Sequence, residues 1–482
     1  MKSLKVLIIW CVAFVTGGSI ACAQMGTLQG SVIYSTADEI AITDTVHLFH
    51  IKDIIIDGNN RTKPYIVLRE VSFKKGQDYP LNELVGQFAE TKKQLLNTGL
   101  FHDVVVSLQS LQGYDAYVKI DVKERWYLFP IPFIRTVDRS FGEWITQQHM
   151  DLRRVNYGIK VTDNNITGRN DRLYVYLMNG YTKQVAVNYN GLFLDKKLKW
   201  SANMGVAYGK NKELNYKTVD NKLLAVKNSN DFVHSFFQSF LEVSYRRAIN
   251  TKHTFGIRYN HEEVADTVYK LNPSFATQRR IIRYPELTYK MTYFNVDYIP
   301  YPTKGYASEI MVNKRGFNHQ MNLWQLIAKG SGYWPMSHKY FFNLGVAGSL
   351  KLPFDQPYIS QQLLGYNDMY MQGYEYFVVD GVAGGYAKAT LSKQILNTAI
   401  RIPSERFKRL NYIPVRLYAK VYGNAGYVYN RQPGDNLLCN KLLYSGGVGL
   451  DLLTFYDFII KVEWSFNQLG QNGLYLHRKS YF

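Results

Sequence analysis

Cysteine is scarce in this 482-residue chain, and the few cysteines form no pattern typical of a metal site or a disulfide framework. Cys11 and Cys22 lie in an N-terminal leader, which leaves Cys439 alone and excludes an intramolecular disulfide in the mature chain. Because CxxC and HExxH patterns are absent, we predict no metal site and no cofactor. A GxSxG nucleophile elbow is also missing, and we expect that the protein is not an enzyme.

Long hydrophobic runs are confined to the leader. Lys2 and Lys5 precede an apolar run, and Ala21-Cys22-Ala23 forms an A-x-A cleavage site, which predicts a signal peptide over residues 1–23. The alternative is a lipoprotein acylated at Cys22, although the usual leucine three residues earlier is missing. Residues 24–46 lack a persistent period and are interpreted as a linker. No later stretch approaches the roughly 18 apolar residues of a spanning helix.

Charge of one sign is in excess, but it is not concentrated. Lys and Arg number 57 against 38 Asp and Glu, which gives a formal charge of +19. The basic residues are scattered along the predicted strands and loops, which argues against nucleic acid as a partner. Lipopolysaccharide phosphates or a polar lumen explain the basic balance better. Aromatic residues reach 15% of the chain, as is typical of outer-membrane strands and their interface girdles.

Residues 47–125 are predicted to form a small α/β domain. The patterns favour strands over Ile51–Ile56, Phe101–Leu108 and Ala116–Lys123, and helices over Pro64–Val71 and from Pro80 through Asn97. The second helix has its apolar residues on one face, and these are Leu81, Leu84, Val85, Phe88 and Leu95. That face is expected to pack on a three-stranded sheet.

From Trp126 to Phe482 the chain changes to segments of about ten residues that alternate in polarity. Val421 and Gly423, for example, share one face of a strand, and Lys420 and Asn424 share the other. A period of two with charges on one face is typical of a transmembrane barrel. A soluble sandwich also alternates, but its polar face would point outward and it would need no leader. We predict a mainly β protein with an antiparallel barrel of about 16 strands and no convincing helix after Trp126.

The small domain resembles a polypeptide-transport-associated (POTRA) domain. The residues that carry this resemblance are Gly58-Asn59, Thr62, Arg69-Glu70, Gly76, Thr98-Gly99-Leu100-Phe101 and Val118–Glu124. One such domain before a barrel of this size is similar to the BamA/TamA superfamily of outer-membrane assembly and translocation proteins.

The resemblance implies a loop motif inside the lumen. The family's Arg-Gly-Phe/Tyr motif corresponds to Gln372, Gly373 and Tyr374, and its Phe-x-Asp-x-Gly motif to Tyr422, Asn424 and Gly426. Both charged partners of the family are therefore neutral here. A Gln372–Asn424 contact keeps donors and acceptors without buried charges, so we expect a weaker form of the family's contact. The alternative is that Gln372 is an ordinary polar loop residue.

Three residues point to a seam between the first and last strands. Pro130 and Pro132 lie in the predicted first strand, and proline in a sheet belongs on an edge. Phe482 is the terminal aromatic residue typical of outer-membrane barrels. A seam short of hydrogen bonds would permit lateral opening toward the bilayer. The alternative is that both prolines end the linker before the strand begins to pair.

The expected function is insertion or assembly of client proteins into the outer membrane, with the POTRA domain in the periplasm. The alternative is a dedicated pore that translocates one secreted partner protein. Expected partners are unfolded outer-membrane or secreted client proteins and outer-membrane lipids or lipopolysaccharide, with accessory lipoproteins as an open further class and no nucleic acid.

Overall fold

The computed structural model describes residues 47–137, 149–195, 197–228, 230–276, 280–318, 321–366, 369–401, 412–454 and 457–477. The predicted signal peptide, the predicted linker and Phe482 lie outside these residues.

The N-terminal domain is a four-stranded sheet with two helices. Its elements in chain order are β1 (Leu48–Asp57), α1 (Pro64–Arg69), β2 (Asp78–Pro80), α2 (Leu81–Asn97), β3 (Phe101–Gln112) and β4 (Asp115–Glu124). The strand order is β2-β1-β4-β3, with β1 and β4 parallel and the other pairs antiparallel. The prediction of three strands missed β2, because a three-residue strand carries no measurable period.

Helix α2 packs on the sheet through the predicted apolar face, with one exception. Leu84, Phe88 and Leu95 are buried, whereas Val85 is 38% exposed and its assignment to the core was wrong. Each fully buried Leu or Phe side chain stabilises the domain by roughly 1.5–3 kcal/mol. The turn after β1 requires Gly58, since its φ is +84° and a Cβ there would lie 2.0 Å from the carbonyl oxygen of Val122.

The rest of the chain is built almost entirely of strands. They are β5 (Leu128–Thr136), β6 (Val155–Asp163), β7 (Arg172–Gly180), β8 (Thr182–Phe193), β9 (Trp200–Asn211), β10 (Glu213–Val219), β11 (Lys222–Lys227), β12 (His234–Ala248), β13 (Thr251–Val264), β14 (Ile281–Val296), β15 (Gly305–Asn318), β16 (Met321–Ser337), β17 (Tyr340–Leu352), β18 (Gln362–Leu364), β19 (Val379–Asp380), β20 (Ala383–Arg401), β21 (Tyr412–Tyr429), β22 (Leu442–Leu453), β23 (Ile459–Asn467) and β24 (Asn472–His477). All except the pairs β10–β11 and β18–β19 form one antiparallel sheet of 16 strands, which confirms the predicted fold class.

The sheet has an apolar outer face and a polar inner face. Exposed large apolar side chains occur on the outer face of successive strands from β7 to β24, and these are Leu177, Val187, Val206, Leu241, Ile257, Leu287, Ile310, Leu326, Val346, Leu391, Val421, Leu450, Trp464 and Leu476. Lys420, Asn424 and Glu463 are buried on the inner face. A continuous apolar belt of this kind is suited to lipid, not to water.

The sheet curves until its two ends approach the same small domain. Asp163, which ends β6, forms an ion pair with Arg61 of the N-terminal domain at 2.9 Å. Asp457, which precedes β23 near the other end of the sheet, pairs with Arg125 at 2.5 Å. A flat sheet could not bring both residues to one domain, so the strands enclose a lumen and the N-terminal domain covers one of its mouths.

Loops with their own secondary structure cover the opposite mouth. The hairpin β10–β11 and the helices α3 (Asp266–Leu271) and α4 (Tyr358–Gln361) lie in the long loops, and a 3₁₀ turn spans Leu152–Arg154. The prediction of no helix after Trp126 was wrong at these sites. The helices are too short to establish a helical period in the sequence, and they are stabilised by packing against neighbouring loops.

Candidate functional site

The loop between β17 and β20 enters the lumen and is tethered there through the predicted motif. The Gln372 side-chain amide donates to Glu463 Oε1 at 3.1 Å, and its carbonyl oxygen accepts from Ser445 Oγ at 2.5 Å. The carbonyl oxygen of Gly373 accepts from Asn467 Nδ2 at 2.6 Å. Tyr374 is buried, and its hydroxyl donates to a backbone carbonyl of β22 at 3.2 Å. The three motif residues are therefore all fixed against the last strands of the sheet.

Glu463 is the centre of a buried charged group that we call the lumen cluster, made of Lys420, Asp451, Glu463 and His477. Glu463 is fully buried and lies 2.5 Å from Lys420 Nζ and 2.7 Å from His477 Nδ1. Lys420 Nζ also lies 2.5 Å from Asp451 Oδ1. A buried charge is tolerated when it is paired and hydrogen-bonded, and each member of the cluster has such a partner.

The structure joins Gln372 and Asn424 through Ser445, not by a direct hydrogen bond. Asn424 Nδ2 donates to Ser445 Oγ at 3.1 Å, and the same hydroxyl donates to the carbonyl oxygen of Gln372. The predicted Gln372–Asn424 side-chain contact was wrong, because the Gln372 amide extends past Asn424 to Glu463. Tyr422 lies on the same inner face and shares a 2.7 Å hydrogen bond with Ser465.

Sequence reasoning placed Glu463 on a polar strand face but did not assign it a role. The signal was the inward parity of Lys461 and Glu463 in a strand whose outward residues are apolar. Gly426 also belongs to the site: a Cβ at this position would lie 3.2 Å from both the Gly385 carbonyl oxygen and the Met371 sulfur, which is tighter than most Cβ contacts. The small residue lets the loop lie close to β21.

The predicted seam residues lie on an edge of the sheet. Pro130 and Pro132 are in β5, opposite Val161 and Ile159 of β6. Among the described residues, β5 pairs with β6 alone and β24 pairs with β23 alone, so these two strands are the edges of the 16-stranded sheet. Ile134 of β5 has 80% of its surface exposed.

Ion pairs fix the N-terminal domain to the turns at its mouth of the barrel. Glu70 is 1% exposed and binds both terminal nitrogens of Arg246 at 2.5 and 2.8 Å, and it also accepts from Arg69 Nε at 2.8 Å. Burial alone would raise the pKa of the Glu70 carboxyl, but Arg246 and then Arg69 outweigh it, so that this pKa lies below its ordinary value. Asn97 of α2 accepts from the backbone amide of Ile299 at 3.0 Å.

The loops at the opposite mouth hold one another in place. Asn221 donates to the Val378 carbonyl oxygen at 2.9 Å and to Asn436 Oδ1 at 3.0 Å. Lys217 pairs with Asp435 at 2.7 Å. Beneath them lies an apolar cluster that includes Val264, Val268, Phe275, Ile282, Leu323 and Tyr358. This mouth is therefore covered by a packed layer.

Two further searches of the described residues returned nothing. No group of three or more His, Cys, Asp or Glu residues that could hold a metal ion occurs in that part of the chain. In the same residues, no helix has both the length and the apolar character needed to cross a membrane.

Comparison with known proteins identifies the N-terminal domain. Residues 49–125 match the family described as POTRA, surface antigen variable number repeat. The chain is 29% identical over 77 residues to the outer membrane protein assembly factor BamA of Neorickettsia risticii, which covers 16% of this chain and 10% of that protein. The chain thus spans about a tenth of the length of the curated relative it matches. The resemblance predicted from the sequence is confirmed in its POTRA part.

Solved structures of similar overall arrangement include two named proteins. BamA from Haemophilus ducreyi lacking POTRA domains 1–3 is 15% identical, with 89% of this chain and 83% of that chain covered and a TM-score of 0.49. CdiB from Acinetobacter baumannii is 12% identical, with 89% and 73% covered and a TM-score of 0.49. The POTRA domain and the apolar belt together indicate an outer-membrane protein whose POTRA domain lies in the periplasm.

Proposed function

We propose that this protein mediates the insertion of client proteins into the outer membrane through the seam between β5 and β24. The observation that carries the proposal is that both mouths of the lumen are covered while the edges of the sheet are not paired with each other among the described residues. Edge strands present unpaired N–H and C=O groups, which are a template for another chain.

The route through the lumen is obstructed at three levels. A chain passing along the axis would have to displace the domain held by Glu70 and Arg246, the loop held by Gln372 and Glu463, and the packed layer around Phe275. Each contact is buried, so breaking all of them together would cost far more than opening one pair of strand edges. Lateral passage at the seam avoids these costs.

The POTRA domain offers a strand edge for client binding. In the described part of the chain β3 pairs with β4 alone, so its other edge is open along Phe101–Gln112. An extended peptide adds to such an edge by main-chain hydrogen bonds, which suits clients of varied sequence. Partners on this proposal are unfolded outer-membrane or secreted proteins and outer-membrane lipids or lipopolysaccharide, with accessory lipoproteins as a further class and without nucleic acid. No catalytic step or cofactor is proposed.

The second candidate is a dedicated pore that translocates one secreted partner. It is favoured by the lumen loop, because a loop tethered by a small number of hydrogen bonds from Gln372 and Gly373 can be withdrawn as a unit. On this alternative the lumen conducts once the loop has left.

The experiment that separates the two is quantitative proteomics of the outer membrane after conditional depletion of the protein. Broad loss of β-barrel proteins, restored by the wild-type copy, is the result expected for an assembly factor. Loss of one secreted protein, with the other barrels unchanged, would refute the proposal in favour of the dedicated pore. Conductance in planar bilayers is an independent check, because an assembly factor with covered mouths should give small, brief openings.

A further inference from the structure

A cationic cavity lies on the inner face of the edge strand β5. Its volume is about 760 Å³, and it is lined by the side chains of Arg135, Lys160 and Arg258 together with the rings of Phe133, Tyr174 and Phe240. Three amide side chains, those of Gln184, Asn188 and Gln238, complete its polar lining.

The three cations have rings, not carboxylates, as their neighbours. Arg135 lies 5.8 Å from the Phe133 ring centroid, Lys160 lies 5.4 Å from that of Tyr174, and Arg258 lies 5.6 Å from that of Phe240. None of the residues that line the cavity is Asp or Glu, and the described part of the chain places no ion-pair partner on these three cations.

The nearest carboxylate along the same face of β12 is engaged elsewhere. Glu242 follows Phe240 by two residues, accepts from Asn203 Nδ2 at 3.1 Å and does not line the cavity. Three positive charges without a local counter-charge repel one another and lower the free energy of binding for an anion. The cavity is therefore suited to an anionic ligand.

An apolar groove lies on the outer face of the same strand. Its volume is about 730 Å³, and Pro132, Tyr157, Ile159, Leu177 and Val185 are among its lining residues. Phe133, Ile134 and Gln184 line both the groove and the inner cavity, so the two spaces meet at the edge of the sheet. A ligand that fits both has a negatively charged end inside and an apolar end on the lipid side.

We propose that this pair of spaces is a binding site for a membrane lipid with a phosphate headgroup and at least two acyl chains. The headgroup lies among Arg135, Lys160 and Arg258, and the acyl chains lie along the groove outside β5.

A client β-strand has a similar division of faces, but β5 is a poor template for one. Pro130 and Pro132 each lack an N–H group, and prolines in a sheet direct that missing donor toward the free edge. Each proline therefore removes a hydrogen bond from an incoming strand, whereas a lipid needs none of them. The inference rests on the placement of the protein in the outer membrane and does not depend on client insertion.

The test is lipid binding by the full-length protein in detergent, measured by native mass spectrometry. The probes are phosphatidylglycerol and phosphatidylcholine with identical acyl chains, glycerol phosphate as a headgroup without chains, and a synthetic β-strand peptide with acidic residues on one face. The variant combines Arg135→Gln, Lys160→Gln and Arg258→Gln. The matched control combines Lys222→Gln, Lys227→Gln and Lys270→Gln, which removes the same charge from the loops at the opposite mouth. Folding of each variant is checked by heat-modifiable electrophoretic mobility.

Phosphatidylglycerol is expected to bind at least about tenfold more tightly than phosphatidylcholine, as one charge-assisted contact contributes roughly this factor. The cavity variant should lose this preference and the loop control should keep it. If the triple variant does not fold, Lys160→Gln should weaken the preference and Lys160→Arg should retain it.

Three results would overturn the proposal. The first is an equal preference in the cavity variant and the wild type, or an equal loss in the loop control. The second is binding of glycerol phosphate as tight as that of phosphatidylglycerol, which would assign the site to a free phosphate. The third is binding of the acidic peptide, dependent on the same three cations and without any lipid preference, which would assign it to a client strand.

Discussion

Replacing Glu70 by glutamine is expected to loosen the POTRA domain from the mouth of the barrel. The carboxylate is 1% exposed and binds Arg246 through both oxygens, whereas the Arg246 side chain is 26% exposed and also donates to the Ile249 carbonyl oxygen. Removing one partner of a fully buried pair costs about 3–5 kcal/mol. Because Arg246 keeps part of its hydration and its other acceptor, we expect about 2–3 kcal/mol, or roughly a 30- to 150-fold shift toward the undocked domain.

The shift is measured by hydrogen–deuterium exchange of the segment that contains Glu70 and of the turn after Arg246, with spin-label distances between the domain and the barrel as a second readout. Both segments should exchange faster while the barrel keeps its heat-modifiable mobility. Asp53→Asn is the matched control, since Asp53 pairs with Lys75 at 2.7 Å on the exposed surface of the same domain. That control should exchange as the wild type does. A folded Glu70→Gln variant with unchanged exchange and distances would show that this ion pair does not hold the domain.

The pH dependence follows from the lowered pKa of Glu70. A carboxyl group whose pKa is lower in the docked state stabilises that state at pH values above its ordinary pKa, about 4.3, and the stabilisation is lost as pH falls through the lowered value. Docking should therefore be constant from neutral pH down to about pH 5 and weaken only in stronger acid. The Glu70→Gln variant should lack this acid dependence.

The lumen loop and the seam give three further predictions. Gln372→Ala should speed hydrogen exchange of the loop by roughly tenfold, one lost hydrogen bond to a charged group, and leave the barrel's thermal stability unchanged. Glu463→Gln should lower the temperature at which the barrel loses its heat-modifiable mobility, because it removes one of the two carboxylates beside Lys420 at a cost of about 3 kcal/mol; equal temperatures would contradict the role of the lumen cluster. Pro130→Val with Pro132→Val should return two N–H donors to the edge and slow client insertion into liposomes, and an unchanged rate would separate these prolines from the proposed route.

The POTRA domain was predicted well because its signals are local. The apolar period of α2 and the turn glycines fix elements within a few residues of their observed bounds. Two details failed for a physical reason. β2 exists only because Asp78–Pro80 pair with β1, and Val85 lies at the margin of the apolar face, where the sheet does not reach it.

The lumen site was predicted only in part. The motif residues Gln372, Gly373 and Tyr374 do lie against the last strands, but the acceptor of the Gln372 amide is Glu463, 91 residues away along the chain. Nothing in the local pattern distinguishes Glu463 from other inward polar residues. The path of a long loop decides which of them it meets, and that path depends on packing at the covered mouth.

By itself, the sequence determined the two-part organisation and the side of the sheet on which each residue lies. A period of two is a local property, so Val421 faces lipid and Lys420 faces the lumen whatever the rest of the chain does. The tertiary structure decided which charges meet. The Glu70–Arg246 pair and the Lys420–Glu463 pair each join distant segments, and their stability comes from burial that exists only once the barrel and the domain have come together.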